Sequence, residues 1–402
     1  MKQMGKILVE FYDAECIENI MTLLYGNAYA RVVYVYFAEA NLPTAEDRAA
    51  LKRYVKTNFG ITPEFLEVRE NTMECALARL RSLAGDSGHC DIDITGGSSV
   101  FIAAAGALAA EDRKGRIALH EYDPRTGRLV FCFPERELSG QGGLRRALTA
   151  DHVFDLRGIR VLYPERQVRY RLDRDDLRGE IARLWEIVRW ELKAWNTFTV
   201  LPTRMEWQGD HFAAEKKMTA KQRQICDDLL DKLQERGVIS DLRQWESGNG
   251  VAVSYCLHVP KSAVFLYDKG GNILEMMTYM SAMDCGCFRD ACTGISLDWD
   301  DAGRRMKADP YNEIDAVLMR DHIPCFVSCK TAEVENEYLY EIMIMARHYG
   351  GRYAVPALVT ATACNIHLHA RAKEMGIVLI DRAGELNTRQ FAQKIKDALG
   401  AK

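Results

Sequence analysis

The sequence predicts a mixed α/β protein, and three features of the chain support this prediction. In the N-terminal third, short apolar, β-branched segments alternate with helical segments, which is the order expected for a parallel sheet with crossover helices. A second set of helices and strands fills the C-terminal third. Between them lie an arginine-rich helical segment and a small helix followed by two strand-like segments. The chain of 402 residues is long enough for three domains, which we place at residues 1–150, 151–266 and 267–402.

The composition is that of a globular protein with a substantial core, since 48% of the residues are hydrophobic and 27% are charged. The net charge of −4 excludes a protein that attracts nucleic acid over its whole surface, so nucleic-acid binding would need a local basic patch. No apolar stretch is long enough for a membrane span, and the N-terminus MKQMGKILVEFYD lacks the pattern of a signal peptide. We therefore expect a cytoplasmic protein that does not enter the membrane.

In a cytoplasmic protein the twelve cysteines are expected to be reduced thiols. Structural zinc sites show two close pairs of ligands at characteristic spacing, and this chain has only loose groups. These groups are Cys285, Cys287 and Cys292, and Cys364 with His367 and His369. We favour buried or half-exposed thiols and keep a metal site as the alternative.

The first region, residues 1–150, is predicted to be a Rossmann-like domain. Helical segments lie between its early strands, for example at Ile17–Tyr25 and Glu46–Lys56. The turn-rich link DPRTGR joins the last two strands and predicts a hairpin. The predicted strands are Ile7–Tyr12, Val32–Phe37, Phe65–Val68, Ile92–Thr95, Ile117–Tyr122 and Leu129–Phe133.

A glycine turn in this region predicts a ligand-binding loop. The stretch DIDITGGSSVFIAAAGALA, residues 91–109, is a strand that turns through two glycines into a helix. Glycine lets the backbone approach a ligand, and free N–H groups at a helix start favour a phosphate. Such turns also have purely structural roles, so the motif alone leaves both alternatives open. The predicted ligand-binding residues, including a second loop at the same sheet edge, are Asp13, Ala14, Glu15, Thr95, Gly96, Gly97, Ser98 and Ser99.

Residues 151–200 combine recurring arginines with tryptophans, and two interpretations are open. A helical pattern runs from Leu177 to Trp195 and carries Trp185, Trp190 and Trp195. One interpretation is a connecting helix whose tryptophans pack on a neighbouring element. The other is a basic surface that binds a phosphate backbone and stacks bases on the aromatic rings. Because acidic residues alternate with the arginines, we favour the connecting helix.

Residues 218–266 predict a small winged helix. Thr219 and Gln222 form a capping box, and Gly237 ends the helix that follows. Two strand-like segments separated by SGNG complete the motif. Winged helices often bind DNA, but acids on the outer face of this helix would repel phosphate groups, so we favour a spacer. These acids are Asp227, Asp228, Asp231 and Glu235.

The third region carries the most informative motif, NEIDAVLMRDHIPCFVSCK at residues 312–330. Side chains two apart on a strand share a face, so Glu313 points with Asp315, and Ser328 with Lys330. If the two strands pair, an acid and a lysine meet at one end of a sheet. The predicted elements are helices Asn272–Met283 and Glu335–His348, and strands Gly294–Trp299, Glu313–Met319, Cys325–Lys330, Ala354–Val359 and GIVLID.

These residue types suit metal-dependent hydrolysis of a phosphodiester. A carboxylate holds a divalent ion such as Mn²⁺ or Mg²⁺, which activates water, and a lysine ammonium stabilises the charge on the phosphate. One carboxylate offers too few oxygen ligands. We therefore predict Glu275, on the preceding helix, as a second metal ligand beside Asp315. The predicted catalytic residues are Asp315, Lys330, Glu313 and Ser328, although each acid taken alone can be a solvated surface group.

Residues 270–360 resemble the PD-(D/E)xK nuclease fold, with its helix, three strands, helix and strand. Asp315 matches the metal-binding Asp of that family, and Lys330 matches the lysine of its D/E-x-K triplet. Ser328 departs from the pattern, because the family places an acid there, and this puts one metal ligand in doubt. A serine hydroxyl can coordinate weakly or hold a metal-bound water, and Glu275 or Glu313 can supply the missing charge.

The whole chain resembles the CRISPR ancillary nucleases that join a CARF domain (CRISPR-associated Rossmann fold) to a PD-(D/E)xK domain. The resemblance is carried by TGGSS, the winged-helix-like spacer, GGNILE and NEID…SCK. It implies a homodimer that binds a cyclic oligoadenylate, most often the tetra-adenylate, between its CARF domains. Binding would then switch on metal-dependent cleavage of single-stranded DNA or RNA in type III CRISPR antiviral defence. The alternatives are a transcriptional regulator and a degraded nuclease that only binds its ligand.

Overall fold

The structure, a computed structural model, forms two compact units. Among the described residues, the first unit comprises those within 5–161 together with 298 and 347–353, and the second those within 162–297, 312–346 and 354–400. The described residues are 5–14, 17–26, 29–38, 42–123, 127–136, 146–162, 175–248, 250–298 and 312–400.

The first unit consists of a sheet with helices, and most of its elements lie where the sequence predicts them. The segment predicted as a helix at Ile17–Tyr25 is a 3-10 turn, Glu18–Ile20, followed by a short α-helix. In chain order the elements are β1 (Ile7–Phe11), α1 (Met21–Leu24), β2 (Arg31–Phe37), α2 (Ala45–Phe59), β3 (Glu64–Val68), α3 (Met73–Gly85), β4 (Cys90–Asp93), α4 (Ser99–Glu111), β5 (Ile117–Asp123), β6 (Arg128–Phe133), β7 (Glu135–Arg136) and α5 (Ala150–Leu156).

The strands of this sheet lie in the order β3-β2-β1-β4-β5-β6-β7. The five strands from β3 to β5 in that order are parallel neighbours, and β6 pairs antiparallel with β5, as the predicted hairpin requires. β1 is buried along its whole length because helices cover a parallel sheet on both faces. Phe101 of α4 stacks on Phe11 and Phe37, and this packing fixes α4 against the sheet. The Rossmann-like prediction is confirmed.

The remaining elements alternate less regularly and include three strands that the sequence did not predict, β8, β9 and β10. In chain order they are β8 (Arg160–Leu162), α6 (Asp175–Val188), α7 (Leu192–Val200), β9 (Thr203–Trp207), β10 (Phe212–Met218), α8 (Ala220–Glu235), β11 (Ile239–Ser247), β12 (Gly250–Leu257), α9 (Asn272–Asp284), β13 (Asp290–Asp298), β14 (Asn312–Arg320), β15 (Ile323–Lys330), α10 (Asn336–Gly350), β16 (Val355–Thr360), α11 (Ile366–Glu374), β17 (Val378–Ile380) and α12 (Thr388–Ile395).

Two sheets belong to the second unit. The winged-helix-like part is α8 with a four-stranded antiparallel sheet in the order β11-β12-β10-β9. In the other sheet, five strands lie in the order β17-β16-β15-β14-β13. Its β13, β14 and β15 are antiparallel neighbours, whereas β15, β16 and β17 are parallel. This mixed sheet positions the candidate catalytic residues, which lie where β14 and β15 pair.

The segment predicted as one helix from Leu177 to Trp195 is two helices, α6 and α7. Trp185 and Trp195 are fully buried, and their indole N–H groups donate hydrogen bonds to the carbonyl oxygens of Leu386 at 3.1 Å and Gly270 at 3.2 Å. Trp190 is 62% exposed. The two buried rings cannot stack on nucleic-acid bases, which agrees with the interpretation of this region as a connecting element.

One hydrophobic core runs through the second unit. It joins side chains from the connecting helices, the winged-helix-like part and the mixed sheet, including Trp185, Leu229, Met277 and Val327. Trp185 stacks on Phe391 of α12 at a centroid distance of 6.2 Å. The helices and sheets of this unit therefore stabilise each other through shared apolar packing.

No helix within the described ranges is both long and apolar enough to cross a membrane. All cysteines in the part of the chain that the structure describes are free thiols.

Candidate active site and ligand loop

Three groups at the end of β15 surround the carboxylate of Asp315 in β14. The Ser328 hydroxyl donates to Asp315 Oδ2 at 3.1 Å, the Cys329 backbone N–H donates to the same oxygen at 2.7 Å, and Lys330 Nζ lies 3.4 Å from it. The strand register explains this arrangement, because Ala316 pairs with Val327 and the next residues along the two strands therefore face each other. The structure thus brings together Asp315, Ser328 and Lys330.

Lys330 has a defined position and a defined charge. Its side chain is 28% exposed, and its Nζ lies 5.0 Å from the centre of the Tyr338 ring, in the first turn of α10. Burial lowers the pKa of Lys330, but the negative charge of Asp315 outweighs it, so the pKa lies above its ordinary value. The lysine is therefore protonated at neutral pH and presents an ammonium group beside Asp315.

Glu275 lies on α9, which packs against β15. Thr278, one turn further along α9, has its Oγ1 3.5 Å from Cys329 Sγ. Burial raises the pKa of the Cys329 thiol well above its ordinary value, and the charges of Asp315 and Glu275 raise it further, so both carboxylates lie near this thiol. α9 thus packs on β15 where the Cys329 side chain lies. Glu275 is only 7% exposed and lies in the first turn of α9, at the same end of the sheet as Asp315.

Glu313 has a different environment from Asp315. It lies two residues earlier on β14, and its carboxylate forms an ion pair with Lys269 at 3.3 Å. Its side chain is 38% exposed, compared with 15% for Asp315. Glu313 therefore lies at the edge of the predicted catalytic set, whereas Asp315 accepts hydrogen bonds from Ser328 and from the Cys329 backbone.

The donor set fits a hard divalent cation in part. Asp315, Glu275 and Ser328 offer two carboxylates and a hydroxyl, and Mg²⁺ in proteins is usually held by one or two carboxylates with several waters. The three hydrogen-bonding contacts of Asp315 all end on Oδ2, so they do not occupy Oδ1. Among the residues with a described placement, no three His, Cys, Asp or Glu side chains cluster closely enough to hold a metal ion. Any metal here would therefore depend on water for most of its ligands.

The glycine loop between β4 and α4 is held by its own side chains. Thr95 N–H donates to Asp93 Oδ1 at 2.7 Å, and Thr95 Oγ1 accepts from Tyr122 N–H at 2.8 Å. Ser98 caps α4 by accepting from the N–H of Phe101. Ser99, in the first turn, is exposed. Of the predicted ligand-binding side chains in this loop, those of Thr95 and Ser98 therefore have structural contacts already, and that of Ser99 faces solvent.

Gly97 has two physical reasons to be glycine. Its φ is +88°, a conformation that other residues rarely adopt, and a Cβ there would lie 2.3 Å from Phe11 Cβ. The turn passes directly over the end of β1, so Gly97 has a packing role within the protein, and the approach of this backbone to a ligand stays a prediction.

The second predicted loop, after β1, lies next to the glycine loop. A Cβ on Gly96 would be 3.2 Å from both Cβ and Oδ2 of Asp13. Asn19 fixes the Asp13 backbone by accepting from its N–H at 2.8 Å and donating to its carbonyl at 2.7 Å. Ala14 is exposed, and the predicted residue Glu15 lies outside the described residues. The structure thus brings Asp13 to the glycine turn, as expected for neighbouring parallel strands that end at one sheet edge.

The sequence interpretation missed Arg352 and Glu18. Arg352 Nη2 lies 3.2 Å from Asp13 Oδ2 and donates to the Thr95 carbonyl at 3.3 Å, and its Nε lies 2.9 Å from Glu18 Oε1. Arg352 is 339 positions from Asp13 in the chain. No local sequence pattern indicates such a pairing, which only the folded structure reveals.

Comparison with known proteins yields matches at the level of structure. No protein-family model and no curated protein matches the chain. Protein VC1899 from Vibrio cholerae matches with a TM-score of 0.72 and 15% identity, over 98% of this chain and 99% of that one. Can2 from Sulfobacillus thermosulfidooxidans, solved in complex with cyclic tetra-adenylate, matches with a TM-score of 0.65 and 14% identity, over 98% and 97%. The chain therefore has the fold of these two proteins along nearly its whole length, and this fold is consistent with the resemblance to the CRISPR ancillary CARF nucleases.

Proposed function

We propose that the protein is a nuclease of type III CRISPR antiviral defence that a cyclic oligoadenylate activates and that uses a divalent metal ion. Its substrate is single-stranded DNA or RNA, and its activator is cyclic tetra-adenylate. The observation that carries the proposal is the meeting of Asp315, Ser328 and Lys330 at the end of β14 and β15, with Glu275 on the adjoining helix. The shared fold with Can2, which was solved with cyclic tetra-adenylate, supports the choice of activator.

The roles follow from the charges at the site. Asp315 and Glu275 would hold Mn²⁺ or Mg²⁺, with the Ser328 hydroxyl bound to Asp315 or to a metal-bound water. When bound, the metal activates water and offsets charge on the phosphate. Lys330, held protonated by Asp315, donates to a non-bridging oxygen of the scissile phosphate and stabilises the charge that builds there. The ring of Tyr338 limits the positions that the ammonium can take.

The sensor role rests on the glycine loop. Gly96 and Gly97 let the backbone approach a ligand closely, and the start of α4 offers N–H groups to a phosphate. A symmetric cyclic ligand fits a two-fold homodimer, because the same loop is presented twice around the axis. Activation then requires that the ligand bind the active arrangement of the dimer more tightly than the resting one.

The test is cleavage of labelled single-stranded DNA and RNA with Mn²⁺ or Mg²⁺ and a panel of cyclic oligoadenylates. We expect cleavage only when metal and one ring size are both present. Asp315→Asn keeps the shape but removes the charge, so metal-dependent cleavage should be lost. Lys330→Ala should bind metal and activator normally but cut more slowly, on the order of a hundredfold.

Two results would change the proposal. If Asp315→Asn and Lys330→Ala both cut at the wild-type rate, the active site lies elsewhere in the chain. If the wild-type protein binds an activator but cuts neither substrate with either metal, the protein is a ligand sensor and not a nuclease.

A further inference from the structure

Helix α7 contacts two of the elements that carry the candidate active site. Trp195 Nε1 donates to the Gly270 carbonyl oxygen at 3.2 Å, just before the first residue of α9. Asn196 donates through Nδ2 to the Thr331 carbonyl oxygen at 3.3 Å and accepts through Oδ1 from the Thr331 hydroxyl at 3.0 Å. Thr331 directly follows Lys330, the last residue of β15. Consecutive residues of one helix therefore bind the start of α9 and the end of β15.

Gly270 leaves the space that the Asn196 amide occupies. A Cβ at position 270 would lie 3.1 Å from Thr199 Oγ1, 3.2 Å from Asn196 Cγ and closer still to Asn196 Oδ1. A side chain there would displace the amide from Thr331. The φ of Gly270 is not positive, so packing against Asn196, and not the backbone conformation, explains the first glycine of GGNILE.

The second glycine of this pair adjoins Glu275. Gly271 is the N-cap of α9, and its carbonyl oxygen accepts from the Glu275 N–H at 3.1 Å. A Cβ on Gly271 would lie 3.5 Å from Glu275 Oε1, so the carboxylate folds back towards this glycine. Asn196 therefore contacts the neighbours of two predicted site residues, Gly270 on the side of Glu275 and Thr331 on the side of Lys330.

The separation of Glu275 and Lys330 matters for the proposed chemistry, because the two residues lie on different elements and must act on the same phosphate. A displacement of about 1 Å can cost about a hundredfold in rate. An ion pair of Lys269 with Glu313 also joins the segment before α9 to the sheet, but the lysine is 61% exposed, and exposed pairs add little to stability. The hydrogen bonds of Asn196 are partly buried.

We infer that Asn196 is a positioning residue of the candidate active site: its side-chain amide sets the distance between the start of the helix that carries Glu275 and the end of the strand that carries Lys330. The inference rests on the function proposed above. It makes α7, which belongs to the connecting region of the sequence, a part of the nuclease site.

The first test compares cleavage and Mn²⁺ binding in wild type, Asn196→Ala, Thr331→Val and Thr331→Ser. Asn196→Ala loses both hydrogen bonds and should lower the cleavage rate at saturating substrate, metal and activator by about tenfold or more, as for residues that orient metal ligands. The substrate concentration for half-maximal rate should stay unchanged, and calorimetry without substrate should show weaker Mn²⁺ binding. Thr331→Val should show a smaller loss of the same kind, and Thr331→Ser, which keeps the hydroxyl, should match wild type.

The second test is a double-variant cycle of Gly270→Ala and Asn196→Ala. In the wild-type background, Gly270→Ala should lower the cleavage rate, because the added Cβ displaces the amide from Thr331. In the Asn196→Ala background the same change should cost little, because Oδ1 and Cγ of Asn196 are gone. Additive losses would show that the amide does not connect Gly270 with Thr331, and the inference would be wrong.

Thr197→Ala is the matched control, because Thr197 adjoins Asn196 on α7 and its hydroxyl donates to the Lys193 carbonyl oxygen within the helix at 2.8 Å. It should cut at the wild-type rate. Thermal unfolding with EDTA checks the fold of each variant, and if Asn196→Ala does not fold, Thr331→Val carries the test.

The outcomes separate this inference from the proposed function. Wild-type cleavage and wild-type Mn²⁺ binding in folded Asn196→Ala, or in Thr331→Val where Asn196→Ala does not fold, would overturn the inference alone. A wild-type protein that cuts neither DNA nor RNA with either metal would overturn the proposed function on which the inference rests.

Discussion

The position of Ser328 allows a sharp prediction about the metal. Ser328→Glu places an acid where the PD-(D/E)xK family, which this region resembles, has one, at a position that is 7% exposed and adjoins Asp315. Two carboxylates about 4 Å apart repel each other by about 4 kcal/mol at the effective dielectric constant of a partly buried site. Lys330 beside Asp315 offsets part of this repulsion. The metal-free variant should therefore be less stable than wild type, and a bound divalent ion should remove most of the deficit.

The assay is thermal unfolding with Mn²⁺ and with EDTA. The rise in melting temperature on adding Mn²⁺ should be larger for Ser328→Glu than for wild type, by the equivalent of up to about 4 kcal/mol. Ser328→Gln is the matched control, since it has the same size without the charge. Cleavage by Ser328→Glu should equal or exceed wild type, and Ser328→Ala should lose less activity than Asp315→Asn. Equal manganese responses of the Glu and Gln variants would refute this reasoning.

Three further predictions concern the sensor, the dimer and the buried acid. Ser99→Glu places a carboxylate on the exposed first turn of α4, where it stabilises the helix but repels a phosphate. Calorimetry should therefore show weaker binding of cyclic tetra-adenylate to Ser99→Glu than to Ser99→Gln. Equal affinities of the two variants would contradict the binding of a phosphate at the start of α4. Sedimentation should show a species of twice the chain mass, and a monomer with and without every cyclic oligoadenylate would exclude the shared-ligand model. Burial raises the pKa of the Glu18 carboxyl from 4.5 to about 7. The contribution of Glu18 to the free energy of unfolding is therefore fully present below pH 4.5 and is lost as the pH rises through 7. The loss amounts to about 3 kcal/mol. Chemical denaturation between pH 4.5 and 8 should show this loss in wild type and a smaller one in Glu18→Gln; parallel pH profiles would show that Glu18 does not titrate in this range.

Much of the fold follows from local patterns that the sequence displays openly. β1 and β2 are largely apolar, β-branched segments, and the capping box of Thr219 and Gln222 marks the start of α8 as predicted. β10 was missed because its buried positions include Lys216. That lysine is 1% exposed, donates to the Leu201 carbonyl oxygen at 2.9 Å and lies over the Phe198 ring. A lysine in a sequence is normally taken as a solvent-facing residue. The alternation of buried and exposed positions along β10 was therefore not recognisable from the sequence.

Some residues of the candidate sites could also be predicted from the sequence, and others could not. Asp315, Ser328 and Lys330 could be placed together from strand alternation, because two consecutive strands that pair bring their ends into register. The position of Glu275 relative to the sheet could not be predicted, because it depends on how α9 packs. Arg352 could not be found either, because its partners Asp13 and Glu18 lie more than three hundred residues earlier in the chain. Ion pairs between residues so far apart in the chain produce no periodic pattern in the sequence around either residue.

The shared core of the second unit limits what a proteolytic fragment that carries the proposed active site could do. A fragment that began at residue 267 would lose Trp185 and Trp195, whose rings are buried in that core. Removing a buried tryptophan side chain typically costs about 3–5 kcal/mol, and whole domains are stable by only about 5–15 kcal/mol. A proteolytic cut just before residue 267 should therefore unfold the C-terminal fragment and not release the proposed nuclease without its sensor. For the nuclease proposed above, such proteolysis would end the activity instead of freeing it from its activator.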